Sequence, residues 1–263
     1  MQFIDDLGRP IELQSTSKKI ISLVPSITEL LFDLSLDKEI VACTSFCVHP
    51  KEKVKNLVKV GGPKDFNLDK IRDIKPDLII AVKEENNKDL VLEISKEFPL
   101  VVFDIVDVES AIKSIKSIGK IVGKEKEATL VLHDIDKEKE NINSISRQLE
   151  TALYLIWNKP MMSINAGTFI SEMMHFSGFK NIFSESRAAY PRVSKQEIDK
   201  YEPKYILLSS EPFSFTEKHR KVYQEQFPYA KVVLVDGEMF SWYGSRMIKA
   251  FRYFGNLRKS ISL

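Results

Sequence analysis

Cys47 and His49 stand two apart in the segment Ser45-Phe46-Cys47-Val48-His49-Pro50, a spacing that lets a thiolate and an imidazole face one ligand or metal from a single loop. Two donors fall short of the three or four that zinc takes from a protein, and His133, His175 and His219 carry no ligand spacing, so no metal site is expected. Ordinary loop packing is the plainer role for the pair. Cys43 and Cys47 are the only cysteines, and they are expected as reduced thiols rather than a strained bridge. Gly61-Gly62-Pro63-Lys64 is too short for a phosphate loop and reads as a tight turn from which Lys64 reaches an anionic group. In Trp242-Tyr243-Gly244-Ser245-Arg246, two adjacent large aromatics followed by an arginine suit stacking on a flat ligand while pairing with its carboxylate. The competing reading makes one aromatic core and the arginine a surface charge. Glu84 and Glu85 are the nearest thing to catalytic carboxylates, yet neighbours at a strand end point to opposite sides. No nucleophile elbow, HExxH, dinucleotide fingerprint or Ser/His/Asp order occurs in a matching context, so a binding protein rather than an enzyme is expected.

The elements that must hold these residues alternate. A short strand, residues 20–23, leads to Pro25 and then to Ser26 with Glu29 three positions on, the signature of a capping box opening a helix. Ile27, Leu30, Leu31 and Leu34 give that helix one apolar face. Strands are expected at 40–43, 78–82, 152–156 and 232–235, with helices between them, and this alternation argues for mostly parallel sheets flanked by helices. From 108 to 149 no proline and no strand-like run occurs. Ala111, Ile112, Ile115, Ile118 and Val122 recur at helical spacing, Gly123 interrupts, and residues 124–148 read as a further helix of ~25 residues, about 38 Å long.

Placing Asn67 on Ser194 without gaps also aligns Ile71 with Ile198, Pro76 with Pro203, Ile79 with Ile206 and Glu84 with Glu211. Each copy reads as a capped short helix, a charged-Pro-charged break and an apolar strand ending in polar residues, which predicts a duplicated lobe. The expected fold is therefore α/β, with two parallel-sheet lobes joined by a long rigid helix. The boundaries are 18–106 for the first lobe, 107–150 for the linking helical segment and 151–263 for the second lobe. Strand ends of the two lobes, 83–86 and 209–211, are expected to face a common ligand cleft, and the long helix predicts small hinge motion.

The 263 residues suffice for a large core at 43% hydrophobic content. With 39 basic and 37 acidic side chains no field selects nucleic acid or an anionic membrane, and no apolar run approaches the ~20 residues that span a bilayer. The opening MQFIDDLGRPIEL has no charged n-region followed by an apolar stretch, which predicts a cytoplasmic protein, or a periplasmic one if a leader has been removed. A monomer is expected.

The segments IISLVPSITELLFDL, VGGPKDFNLDKIRDIKPDLIIA and VSKQEIDKYEPKYILL, with the long helix between, resemble the class III periplasmic-binding-protein family over roughly residues 18–257. Among its members the chain looks most similar to signal-less helical-backbone metal receptors, through SFCVHP, KEEN, SSEPFSF and DGEMFSWYGSR. The resemblance implies a receptor for cobalamin, haem or a ferric siderophore that works with an ABC permease. Cobalamin or an iron chelate is then a bound ligand and no intrinsic cofactor is implied. The ligand contacts expected in the first lobe are Ser26, Phe46, His49, Lys64 and Glu84. Those from the second half of the chain are Trp157, Thr168, Phe169, Arg192, Glu211, Trp242, Tyr243 and Arg246. Family receptors engage the permease through an acidic residue in the short helix of each lobe. Asp69 fits in the first, while the matching place in the second is Gln196, with Glu197 beside it. The alternative is a cytosolic enzyme or cofactor chaperone acting on a chelated metal through Cys47, His49 and Glu84-Glu85.

Overall fold

The computed structural model describes residues 2–13, 18–143 and 148–261. In chain order its elements are β1 (Gln2–Ile4), β2 (Pro10–Glu12), β3 (Ile20–Ser22), α1 (Pro25–Asp33), β4 (Ile40–Cys43), α2 (Lys51–Val54), β5 (Val58–Lys59), α3 (Leu68–Ile74), β6 (Leu78–Val82), α4 (Lys88–Ile94), β7 (Leu100–Phe103), α5 (Val108–Ile121) and α6 (Glu125–Asn143). There follow β8 (Glu150–Leu155), α7 (Phe169–Phe176), β9 (Phe179–Asn181), α8 (Lys195–Tyr201), β10 (Tyr205–Ser209), α9 (Glu217–Gln226), β11 (Lys231–Val235), α10 (Glu238–Ser241) and α11 (Arg246–Ile261). The chain divides into two compact units, residues 1–135 with 243–246, and residues 136–242 with 247–263. The division falls within α6.

In the first unit five parallel strands run in the order β5-β4-β3-β6-β7. The chain enters at the middle strand, steps outward through β4 to β5, then returns to the other side of β3. The second unit has four parallel strands in the order β11-β10-β8-β9 and the same habit: β8 enters in the middle, β9 lies to one side, and β10 and β11 lie to the other. Each sheet therefore reverses its winding once, between β3 and β6 and between β8 and β10. All five residues of β6 and of β10 are buried, as central parallel strands covered on both faces require. Ile21, Ile79, Ala81 and Val102 centre one core, and Leu153, Leu155, Ile206 and Leu208 the other.

The repeat read from the sequence is a structural one. α3 and α8 have seven residues each, and their ends, like those of β6 and β10, keep the 127-residue offset. Asn67 Oδ1 accepts from the Lys70 N–H at 2.9 Å. Ser194 Oγ accepts from the Glu197 N–H at 3.2 Å, and Glu197 accepts back from the Ser194 N–H at 2.8 Å. Both helices end on a left-handed residue, Lys75 (φ 52°) and Glu202 (φ 41°), immediately before the shared proline.

Two expectations need correction. Helix α1 begins at Pro25, with Val24 as its N-cap and no side-chain cap, so Ser26 lies inside the helix and does not form a box with Glu29. Proline suits that first position because its missing N–H would have no helical partner there. The helix expected over 124–148 is found as Glu125–Asn143; the expected continuation across 144–147 lies outside the described residues. Gly123, at φ 68°, separates α5 from α6 as expected.

The β1-β2 hairpin lies along the outer edge of β7. The Asp6 N–H donates to Val102 O at 3.1 Å, Asp5 Oδ2 accepts from the Val102 N–H at 3.3 Å, Asp6 Oδ2 accepts from the Asp104 N–H at 3.0 Å, and Arg9 donates to Leu100 O at 3.3 Å.

Candidate functional site

In open parallel sheets ligands bind beyond the carboxyl ends of the strands, at the point where the winding reverses. In the first unit that point lies past Ser22 of β3 and Val82 of β6. Asn86 fixes it: its Nδ2 donates to Leu23 O at 3.0 Å and to Pro63 O at 3.1 Å, while its Oδ1 accepts from the Val82 N–H at 2.9 Å. One buried amide thus ties both strand ends to the glycine turn. That turn needs Gly61, whose φ is +113° and where an added Cβ would lie 3.0 Å from Asp65 O. Lys64, exposed beyond it, donates to the Glu84 carbonyl. Glu84 keeps a solvent-facing edge, yet loss of water raises its carboxyl above the ordinary value, against a lowering by the Lys64 charge and with a further rise from Asp104.

Residues 243–246 complete this unit. Gly244 has φ +80°, and an added Cβ there would lie 3.4 Å from both Ser26 O and Leu30 Cβ, so its backbone rests on α1. Tyr243 is buried, with Ser26 beside it. Burial drives its phenol well above the ordinary value, Glu85 and Glu84 push it the same way, and Ser26 opposes them. Arg246, in the first turn of α11, donates from Nε to Glu29 Oε2 at 2.7 Å, with both side chains about 95% enclosed (5% and 4% exposed). Phe46 stands 63% exposed in the loop after β4, and His49 is half-buried at the end of that loop. Cys43 and Cys47 are free and buried. Among the described residues no group of three or more His, Cys, Asp or Glu side chains is arranged to hold a metal ion.

In the second unit the corresponding edge lies past Leu155 of β8 and Ser209 of β10. Glu211, the repeat partner of Glu84, accepts from Ser241 Oγ and from the Trp242 side chain. Burial raises its carboxyl too, with Glu238 and Asp236 adding to the rise and the two hydrogen bonds opposing it. Gly237 is obligatory beside it, since a Cβ would come within 2.6 Å of Glu211 Cγ and 2.9 Å of its N. Trp157, 40% exposed, meets Phe213 edge-on with centroids 5.6 Å apart, and its indole donates to Lys159 O at 3.2 Å. Trp242 is buried. Thr168 caps α7 by accepting from the Ser171 N–H at 3.3 Å, with Phe169 buried behind it, and Arg192 is exposed next to a bridge with Met162.

The structure therefore groups Ser26, Tyr243 and Glu84 at one sheet edge, and Glu211 with Trp242 at another. Of the two acidic residues expected to meet a permease, Asp69 is exposed and paired with Arg72 at 2.9 Å, whereas Glu197 folds back on the Ser194 cap. Asn86, Glu29 and Ser241 were missed as organisers. Asn86 was legible only as the end of a polar run, and the partners of Glu29 and Ser241 lie 217 and 30 residues away along the chain.

The chain is 23% identical over 238 residues, 89% of its length and 85% of the other's, to a vitamin B12-binding protein of Pectobacterium carotovorum subsp. carotovorum (strain PC1). It is 26% identical over 260 residues, 94% of its length and 82% of the other's, to the uncharacterized ABC transporter substrate-binding lipoprotein YvrC of Bacillus subtilis (strain 168). The crystal structure of the periplasmic vitamin B12-binding protein BtuF of Vibrio cholerae superposes with a TM-score of 0.79 at 21% identity, covering 93% of this chain and 97% of that one. Residues 20–228, which hold both switch points, both copies of the repeat and the helix between them, match the family described as periplasmic binding protein, and the chain belongs to that family.

Proposed function

We propose that the protein is the substrate-binding component of an ABC-type importer, acting as a monomer, and that it takes up a metal chelate, a corrinoid such as cobalamin or a ferric siderophore. The observation that carries this reading is the repeated carboxyl edge. Two sheets of like winding each place a glutamate of raised pKa, Glu84 and Glu211, at the loop where a parallel sheet receives its ligand. Carboxyl oxygens at these edges accept hydrogen bonds from amide groups of the kind that fringe a corrin ring. Trp157 supplies an exposed aromatic face, and Lys64 an exposed cation that meets the ligand's acidic groups by leaving the Glu84 carbonyl. Phe46, His49 and Arg192 are the further contacts assigned from exposed or half-buried loops, and Ser26, Thr168, Phe169, Trp242, Tyr243 and Arg246 shape the edges from within. The names of the relatives support both the transporter class and vitamin B12 as the first ligand to try. Asp69 is assigned to the permease contact. Glu197 joins it only by leaving its cap.

Tryptophan fluorescence tests this directly. Titration with cobalamin, haemin and a ferric catecholate, corrected for inner-filter loss by displacement, should give saturable one-to-one quenching by one of them. Trp157→Phe should remove most of the signal and weaken binding by roughly tenfold, the worth of about 1.4 kcal/mol of stacking. Absence of saturable binding to all three would reject the chelate reading.

A further inference from the structure

A buried sulfur cluster is left unused by the binding role. Cys43 closes β4, and the Cys47 N–H donates to Thr44 O at 3.2 Å, which turns the chain back over the strand end. Lys59 on β5 places its ammonium 3.1 Å from Cys43 Sγ and 3.3 Å from Cys47 O. The hydroxyls of Thr28 on α1 and Thr44 lie 3.1 Å and 3.2 Å from Cys47 Sγ. Thr28 spends its own proton on Val24 O at 2.9 Å, so towards sulfur it receives, whereas Thr44 is able to donate. Lys59 touches both residues, and the ionisation of each thiol acts on the other, so the two belong to one buried cluster. Their titration is a property of the pair. Hydrogen bonding from Cys43 brings Cys47 down to about 6, and the same bond, with burial, pushes Cys43 up. A cysteine kept only for packing requires neither a cation nor a second sulfur beside it.

We propose that Cys43 and Cys47 are a peroxide-oxidisable dithiol that closes to an intramolecular disulfide, with Lys59 as the cation that eases proton loss from Cys43, the sulfur that closes the bond. The Cys47 thiolate attacks one oxygen of hydrogen peroxide and breaks the O–O bond. Sulfenic acid forms on Cys47, and the departing hydroxide takes a proton to become water. Cys43 sulfur then attacks Cys47 sulfur and expels the sulfenic oxygen, which leaves as a second water carrying the Cys43 proton. Two thiols and one peroxide give one disulfide and two waters. Sulfurs this enclosed, at 0% and 3% exposure, favour an oxidant scarcely larger than water over a bulky disulfide. The new bond would replace the contacts of Cys47 with Thr28 and Thr44, and so reset the Phe46 to His49 loop beside the first unit's sheet edge.

The test is peroxide treatment of the folded full-length chain, followed by alkylation under denaturing conditions and intact mass measurement. The expected result is a monomer lighter by about 2 Da, for two hydrogens lost, with both cysteines protected from alkylation until dithiothreitol is added. Lys59→Met should slow disulfide closure about tenfold, the effect of raising the Cys43 thiol, already well above neutrality, by one more unit. Cys43→Ser should stop at a sulfenic acid on Cys47 that dimedone traps. Failure of the folded chain to lose two hydrogens, disulfide-linked dimers in their place, or an unchanged rate in Lys59→Met would each overturn the proposal. The wild-type and Lys59→Met measurements decide it even if Cys43→Ser does not fold.

Discussion

Arg246 and Glu29 set full opposite charges inside the first unit, away from water. Such a pair adds little over apolar residues of the same shape, but removing one partner strands the other charge. Arg246→Met should therefore cost about 3–5 kcal/mol in urea unfolding, and adding Glu29→Gln should return much of that loss. A single variant as stable as wild type would mean that water reaches Glu29. The same pair shows where sequence reading stops at this scale. Ser26 and Glu29 have the types and spacing of a capping box, but Pro25 already opens the helix and Glu29 is claimed by a residue 217 positions away. The arginine was legible as a charge beside two aromatics; its partner was not.

At the scale of elements, α3 with β6 and α8 with β10 were readable because their signals are local. A capping side chain, one buried isoleucine, a proline break and an apolar run suffice to set each boundary. The left-handed C-caps were not readable, since Lys75 and Glu202 occupy a conformation that usually selects glycine. Lys75→Gly and Glu202→Gly should each stabilise the protein, by up to about 1 kcal/mol after the entropic cost of glycine, as measured by the thermal midpoint. If either variant destabilises, the side chain there does more than tolerate its backbone. β3, β4, β6, β8, β10 and β11 were legible as short apolar runs between breaks, but the two- and three-residue edge strands β5 and β9 were not, nor was the strand order, because pairing depends on contacts the sequence does not list side by side. The second sheet edge was half visible in this way. Glu211 followed from the repeat, while the approach of Ser241 and Gly237 to it required β11 to lie beside β10.

Over the whole molecule, two units of the same winding carry equivalent edges, and among the described residues no helix is long and apolar enough to cross a membrane. The β1-β2 hairpin belongs to neither edge, and it bears on how the molecule behaves in a crowd. β7 is the last strand of its sheet, and its outward amides and carbonyls are the groups another chain would use to extend that sheet. Asp5, Asp6 and Arg9 occupy these groups with side chains and a single backbone bond, which cannot propagate as a further strand would. Asp5→Ala with Asp6→Ala should turn a monodisperse solution into one whose light scattering rises with time and concentration, while ligand affinity in fresh protein stays unchanged. The hairpin thus denies β7 to fibril-like growth, with two aspartates near the start of the chain holding that edge closed.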